Sequence, residues 1–205
     1  MSVQYDSNSP LLGAEISFQQ PLDMKRYLNK ERMSQPFKNY LQGIHEQQFQ
    51  NRRIKSFDIK KFQDKDKNFS QQQRNILEAA KVIFRNNGIT NINMNRMILE
   101  FQQLNCFGKD KVRNFNWHND DNVIWTGLPF SRGVYTLIFY IRKDRTVKGG
   151  NFEYKKRNTF FGCPTSRLEI SEGDILIFNG AIRHRATQSH GFGCRDIITV
   201  FAEIL

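Results

Sequence analysis

From about residue 97 onward the hydrophobic pattern changes period, and this change restricts the possible folds more than any other feature of the chain. MILEFQQL at 97–104, VRNFNWH at 112–118, VYTLIFYI at 134–141, NFEYKK at 151–156, RLEI at 167–170, DILIFN at 174–179 and RDIITVFAEI at 195–204 are short, β-branched and aromatic-rich. Gly, Pro, Asn or Asp separate them, which is how strands and their turns read in sequence. Seven or so such segments in about 110 residues suit a mostly antiparallel jelly roll or cupin-like double sheet, a double-stranded β-helix.

The first half reads differently. Residues 1–22 carry Pro10 and Pro21 with little periodicity, an extended arm or an edge strand around Ala14–Phe18. Between Leu22 and Phe49 apolar residues recur at threes and fours, which predicts one or two amphipathic helices, with Pro36 separating them or starting the second. The best-marked helix is near 71–87, where Ser70 and Gln73 make a capping-box pattern, Ile76, Ala79, Ala80 and Ile83 share a face, and Gly88 supplies the stop. The expected class is therefore α+β in one domain spanning 1–205. An N-terminal arm and supporting helices (1–96) buttress a jelly-roll core (97–205).

The net charge of +11 has no detached basic tail behind it, since the excess is shared between the halves of the chain. Its one local concentration lies in 142–157, where Arg142, Lys143, Arg145, Lys148, Lys155, Lys156 and Arg157 face only Asp144 and Glu153. This segment is either a footprint for an anionic partner or a solvated edge blunted by lysines. Cys106, Cys163 and Cys194 are odd in number and widely spaced, which favours reduced thiols. The N-terminus lacks a signal-peptide pattern and no run of 18 apolar residues occurs, so an intracellular protein, cytoplasmic or nuclear, with no membrane partner is expected.

Two of the four histidines end predicted strands. His118 stands in WHNDD, and alternation in an extended segment puts His118 and Asp120 on one side, close enough to share a metal ion. H-x-D alone is a weak signal. His184 is the natural third ligand, completing two imidazoles and a carboxylate with open positions, the set expected of a non-haem Fe(II) oxygenase. Arg195 follows eleven residues later in HRATQSHGFGCRDIITVF, and a turn at Gly191 and Gly193 would bring it back antiparallel to the His184 strand. Arg195, Ile197, Thr199 and Phe201 then share a face. A guanidinium among apolar residues needs an anion, and a dicarboxylate held by Arg195 with Thr199 would satisfy it, unless Arg195 points to solvent or pairs with a core carboxylate. His190 lies too near Arg195 to be the distal ligand, Asp121 replaces Asp120 only if the strand bulges, and His45 is a surface or core residue.

In order along the chain stand WHNDD, YTLIFYI, KGGNFEY, EGDILIF, His184 and Arg195. Over roughly Val112 to Ile204 this order resembles the 2-oxoglutarate- and Fe(II)-dependent dioxygenases, more narrowly their prolyl- and lysyl-hydroxylase-like branch. The resemblance implies iron on His118, Asp120 and His184, and 2-oxoglutarate on Arg195 and Thr199 with help from Tyr135 or Tyr140, which differ in parity. It implies O₂ as the oxidant, with ascorbate as an optional reductant, in the hydroxylation of a C–H bond. Where the family commonly has a small polar residue after the arginine, this chain has Asp196, which alternation points outward.

Phe115, Trp117, Phe139, Phe178 and Phe201 are candidates for a dry pocket wall, although core packing explains them equally well. The segment 121–133, with Trp125 and Phe130, is long enough to line an entrance or to be an ordinary packed loop. The Gly-Gly and distal motifs favour a protein side chain as substrate. Oxidation or demethylation of a nucleic-acid base by the same iron chemistry is the alternative that the basic segment favours. A non-catalytic cupin-like binding module is the third reading.

Overall fold

VYTLIFYI carries no polar stripe because both of its faces are covered. The structure is a computed structural model that describes residues 27–49, 55–58, 70–112, 116–121, 133–155 and 164–205. In it β1 (Leu28–Arg32), β2 (Lys55–Asp58), β3 (Ile92–Val112), β4 (Val134–Lys143), β7 (Asp174–Asn179) and β9 (Ser189–Ile204) form a six-stranded sheet of order β1-β7-β4-β9-β3-β2. A three-stranded sheet, β6-β5-β8, is built from β5 (Phe152–Lys155), β6 (Thr165–Leu168) and β8 (His184–Ala186). Every pairing between these strands is antiparallel.

Two helices, α1 (Gln35–Phe49) and α2 (Gln71–Asn86), cover one face of the large sheet. Tyr135, Leu137, Phe139 and Ile141 of β4 share a core there with Ile175 and Ile177 of β7, Ile198 and Val200 of β9, and the apolar stripes of both helices. The residues between them point the other way. Tyr140, Leu176, Phe178 and Ile197 pack with Phe152, Ile170 and Ile182 between the two sheets. This double burial makes β4 and β7 read as continuous apolar runs, and each fully buried large side chain contributes about 1.5–3 kcal/mol. No described helix is long and apolar enough to cross a membrane.

The second helix matches its sequence signature: Ser70 caps it by accepting from the Gln73 N–H at 3.3 Å, and Gly88 follows its end with φ +71°. The first does not begin where periodicity placed it. Residues 28–32 form an edge strand paired with β7, Leu28 opposite Phe178 and Arg32 opposite Asp174, and the helix starts only at Gln35, with Pro36 in its first turn. Of the strand expected over 112–118, Val112 ends β3 and His118 makes a single bridge, while 113–115 lie outside the described residues; the strand expected at 167–170 shifts to 165–168. The strand expected from Arg195 begins at Ser189, so Gly191 and Gly193 lie inside β9, against Thr146 and Asp144, and make no hairpin turn. His184 opens β8 in the small sheet while Arg195 belongs to the large one, so the chain crosses between sheets. Residues 1–26 (with the expected edge strand), Phe115, the 122–132 segment with Trp125 and Phe130, Lys156, Arg157 and Cys163 lie outside the described residues.

Two further expectations change because α1 covers the back of the sheet. Phe139 packs edge-on against Phe37 of α1, 5.7 Å between ring centroids, and lines no pocket. Asp196 does alternate away from Arg195, but into the interface with α1, where it is 1% exposed and its carboxylate lies 3.8 Å from Nδ1 of buried His45. Burial pushes the Asp196 carboxyl up to about 6, against the opposing charge of Arg142.

Glu31 on β1 is also buried on the helix side, with one oxygen accepting from the Asn29 amide at 2.9 Å and the other without a partner. Burial pushes its carboxyl up to about 7, with the neighbouring Asn87 side chain opposing the rise. The folded state thus keeps a proton that the unfolded chain releases near its ordinary value, so stability is full below that value and falls as pH rises through about 7. We expect Glu31→Gln to remove part of this loss and to be more stable than the wild type at pH 8 by about 2 kcal/mol. Denaturant titrations at acid and alkaline pH measure it, and equal stabilities of the two proteins at pH 8 would contradict the assignment.

Candidate metal centre and carboxylate pocket

His118 and His184 come together through the backbone. Each donates its N–H to the other's carbonyl, at 3.0 and 2.9 Å, in one isolated antiparallel bridge that adds the 116–121 segment to the open edge of β8. The two rings end 4.3 Å apart between centroids. Asp120 is not on a strand, as alternation assumed; it sits in a turn that its N–H pins to the Gly180 carbonyl at 2.9 Å. Gly180 is required here. A Cβ at this position would lie 2.5 Å from the Val134 side chain and 3.2 Å from the Asp120 Cβ.

The facing atoms are all acceptors. The Nδ1 atoms of His118 and His184 meet the Asn116 and Ile182 carbonyls at 2.8 and 2.9 Å, which puts the ring protons there and leaves both Nε2 lone pairs free. These Nε2 atoms lie 3.5 and 3.6 Å from Oδ1 of Asp120. The other Asp120 oxygen accepts from the Thr136 hydroxyl at 2.6 Å, which aims Oδ1 at the histidines. Burial lowers the pKa of His184, against the raising effect of Asp120, so that ring stays neutral. Three donor atoms within 4.8 Å of one another, two neutral imidazoles and one carboxylate, fit a divalent transition metal. Phe178 and Phe152 pack on the His184 ring at 4.7 and 5.0 Å and form its dry wall.

Arg195 lies farther along the space between the sheets. It is 4% exposed, donates from Nη1 to the Gly150 carbonyl at 3.1 Å, and its Nε has no partner. Among the described residues no carboxylate pairs with it. Burial works against its charge, offset in part by Tyr140 and Cys106. Such a cation is costly without an anion, and the site around it supplies further donors. Thr199 is buried on the same face of β9, and the Tyr140 hydroxyl is pushed up to about 12 by burial, with Arg195 opposing. The Gly149-Gly150 turn has a steric reason: a Cβ on Gly150, whose φ is +68°, would lie 2.3 Å from the Arg195 guanidinium and 2.9 Å from Ser189 Oγ, itself buried without a partner.

The parity of the tyrosines separates them. Tyr135 packs against Tyr27 on the helix side, 6.2 Å between centroids, so Tyr140 is the tyrosine placed with Arg195. His190 is exposed and His45 is a core residue whose Nε2 meets the Gln102 carbonyl at 2.9 Å. Asp121 stays outside the cluster, its carboxyl raised by burial and by Asp120. Among the described residues of the basic segment, Arg142 pairs with Asp144 at 2.8 Å, Lys143 donates to the Ile170 carbonyl at 2.9 Å, and Lys155 lies on the small sheet. Thr136, Gly180 and Ser189 went unnoticed in the sequence. Thr136 left a usable trace as the lone aliphatic hydroxyl inside VYTLIFYI, whereas Gly180 and Ser189 looked like ordinary loop residues.

No protein-family model and no curated protein sequence matches the chain. Solved structures do resemble it. A prolyl-4-hydroxylase from Pseudomonas putida matches with TM-score 0.58 at 11% identity over 87% of this chain and 88% of that one. The non-haem α-ketoglutarate-dependent epimerase SnoN of nogalamycin biosynthesis matches with TM-score 0.61 at 9% identity over 87% and 77%. HygX from Streptomyces hygroscopicus, solved with nickel and 2-oxoglutarate bound, gives 0.56 at 11% over 87% and 81%. At these identities the likeness establishes the fold, which the chain shares with these three proteins.

If the three donors form a metal site, Mn(II) or Fe(II) under argon should raise the melting temperature of the wild type and leave that of His184→Ala unchanged. Thr136→Val should bind the ion about 10–100-fold more weakly by freeing the carboxylate. A metal-induced shift preserved in His184→Ala would place the ion elsewhere.

Proposed function

We propose that the chain is an Fe(II)- and 2-oxoglutarate-dependent dioxygenase that hydroxylates a C–H bond, with a protein side chain as the substrate. The observation that carries this reading is the pairing of two unmet needs in one space. Three acceptor atoms converge at one end, and a buried guanidinium without a carboxylate partner among the described residues lies beyond them. A metal ion and a dicarboxylate together answer both. The two sheets then correspond to the double-stranded β-helix of this family.

On this reading His118 Nε2, Asp120 Oδ1 and His184 Nε2 hold iron, leaving further positions for cosubstrate and O₂. Arg195, with the Tyr140 and Thr199 hydroxyls, binds the remote carboxylate of 2-oxoglutarate, and a guanidinium suits this because its fork matches a carboxylate. The bound iron supplies oxidative decarboxylation of 2-oxoglutarate to succinate and CO₂ coupled to hydroxylation of the substrate. The chain's own work is placement. Thr136 holds one carboxylate oxygen so that the other faces the ion, the Asn116 and Ile182 carbonyls fix the imidazole tautomers, and Phe152 and Phe178 exclude water. The likeness to prolyl hydroxylases supports a protein substrate, and among the described residues of the basic segment Arg142 is paired with Asp144 and Lys143 with a backbone carbonyl, which speaks against a phosphate footprint at those two.

Succinate formation from 2-oxoglutarate by the iron-loaded protein tests this reading. Asp120→Ala should abolish it, and Arg195→Met should raise the KM for 2-oxoglutarate on the order of 10²-fold, the usual cost of removing a buried charged partner. Wild-type succinate formation that is independent of added iron, or unchanged in Asp120→Ala, would remove the proposal.

A further inference from the structure

The strands that turn His118 and His184 inward necessarily turn their neighbours outward. Alternation along β8 places Arg183 and Arg185 on the outer face of the small sheet, and along β5 it places Glu153 and Lys155 there, since Phe152 and Tyr154 pack inward. Arg167 of β6 stands opposite Glu153, and Thr165 opposite Lys155. The result is two rows across the sheet. One runs Arg167–Glu153–Arg185, and the other runs Thr165–Lys155–Arg183, closed by the Lys155 N–H bond to the Arg183 carbonyl at 2.9 Å.

Trp117, one residue before His118, extends the first row. Its ring is held between charges: Lys155 Nζ and the Arg185 guanidinium each lie 4.6 Å from its centroid. Glu153 accepts from Arg185 Nε at 2.8 Å and is 15% exposed, while Arg183 and Arg167 are both exposed. Neither Arg183 nor Arg167 has an ion-pair partner among the described residues. Among the described residues Arg167, Lys155, Arg183 and Arg185 thus gather around Glu153 on the back of the small sheet, whose front carries His184.

We propose that this face docks an acidic stretch of the protein substrate, beside the residue to be hydroxylated. The inference rests on the hydroxylase reading above and names the class of protein that the reading leaves open. Charge complementarity carries it, and spacing selects a peptide. Arg183, just before β8, and Arg185 within it are two residues apart, about 6.7 Å where the chain is extended, the repeat at which an extended peptide presents alternate side chains. The Arg183 guanidinium can take a carboxylate as a fork, while Arg185, held at Nε by Glu153, adds its charge beside it. A single-stranded nucleic acid would ask for open aromatic rings on which bases stack, and the Trp117 ring on this face is already covered by Lys155 and Arg185.

Fluorescence anisotropy of the full chain with a labelled proline-containing peptide, flanked by glutamates at alternate positions, tests the proposal against the same peptide with glutamines and against oligothymidylate. The glutamate peptide should bind about tenfold more tightly than the glutamine peptide, weakening as salt rises, and Arg167→Glu/Arg183→Glu should lose about tenfold with an unchanged melting temperature. Equal binding of the two peptides by the wild type would overturn the proposal without any variant, as would preference for oligothymidylate or a folded double variant with undiminished binding. Peptide binding needs no iron, so it should persist in Asp120→Ala. Absent succinate formation with intact peptide binding sinks the hydroxylase reading alone, and the reverse sinks the docking face alone.

Discussion

The site depends on one pair of backbone hydrogen bonds, those exchanged between His118 and His184. They fasten a short loop segment to the edge of β8, and so convert two residues sixty-six positions apart into a facing pair. Everything else at the metal end refines that contact. The Gly180 carbonyl holds the Asp120 turn, and the missing side chain of Gly180 leaves room where a Cβ would meet both Val134 and the Asp120 Cβ. Thr136 then decides which oxygen of Asp120 is left to face the histidines.

The large sheet serves two masters through the two parities of β4 and β9. One set of residues, Leu137, Phe139, Ile198 and Val200, anchors the sheet to the helices. The other set, Thr136, Tyr140, Arg195 and Thr199, faces the space between the sheets and carries the polar chemistry. The arrangement means that the functional groups are aimed by a rigid, doubly buried scaffold, which keeps donor positions fixed without a ligand present. It also bears on how a buried guanidinium is tolerated: the Gly150 carbonyl and Tyr140 stand beside it in an otherwise apolar interior.

Much of this was legible in the sequence because the strands advertise themselves. β4 and β7 read as strands at nearly their observed bounds, and the H-x-D pair, His184 and Arg195 were found by type and order. The route to them was partly mistaken. Asp120 faces the histidines through a turn, with no strand alternation involved, and Arg195 returns on a different sheet from His184, with no hairpin between them. β1 escaped notice because LNKER carries the charges of a helix surface; it is a strand because β7 leaves an edge to pair and because Asn29 and Asn87 provide a polar niche for Glu31. Asp196 and Tyr135 show the limit of alternation. It tells which residues share a face, but which face meets a helix depends on α1, whose position no local pattern around them records.

The central claim is that one ion and one dicarboxylate complete this interior together. A crystal structure of the protein grown without oxygen in the presence of Fe(II) and 2-oxoglutarate addresses it most directly. The account predicts iron bonded to His118 Nε2, Asp120 Oδ1 and His184 Nε2, with the remote carboxylate of 2-oxoglutarate on the Arg195 guanidinium. Iron bound by other residues, or 2-oxoglutarate lying away from Arg195, would contradict it.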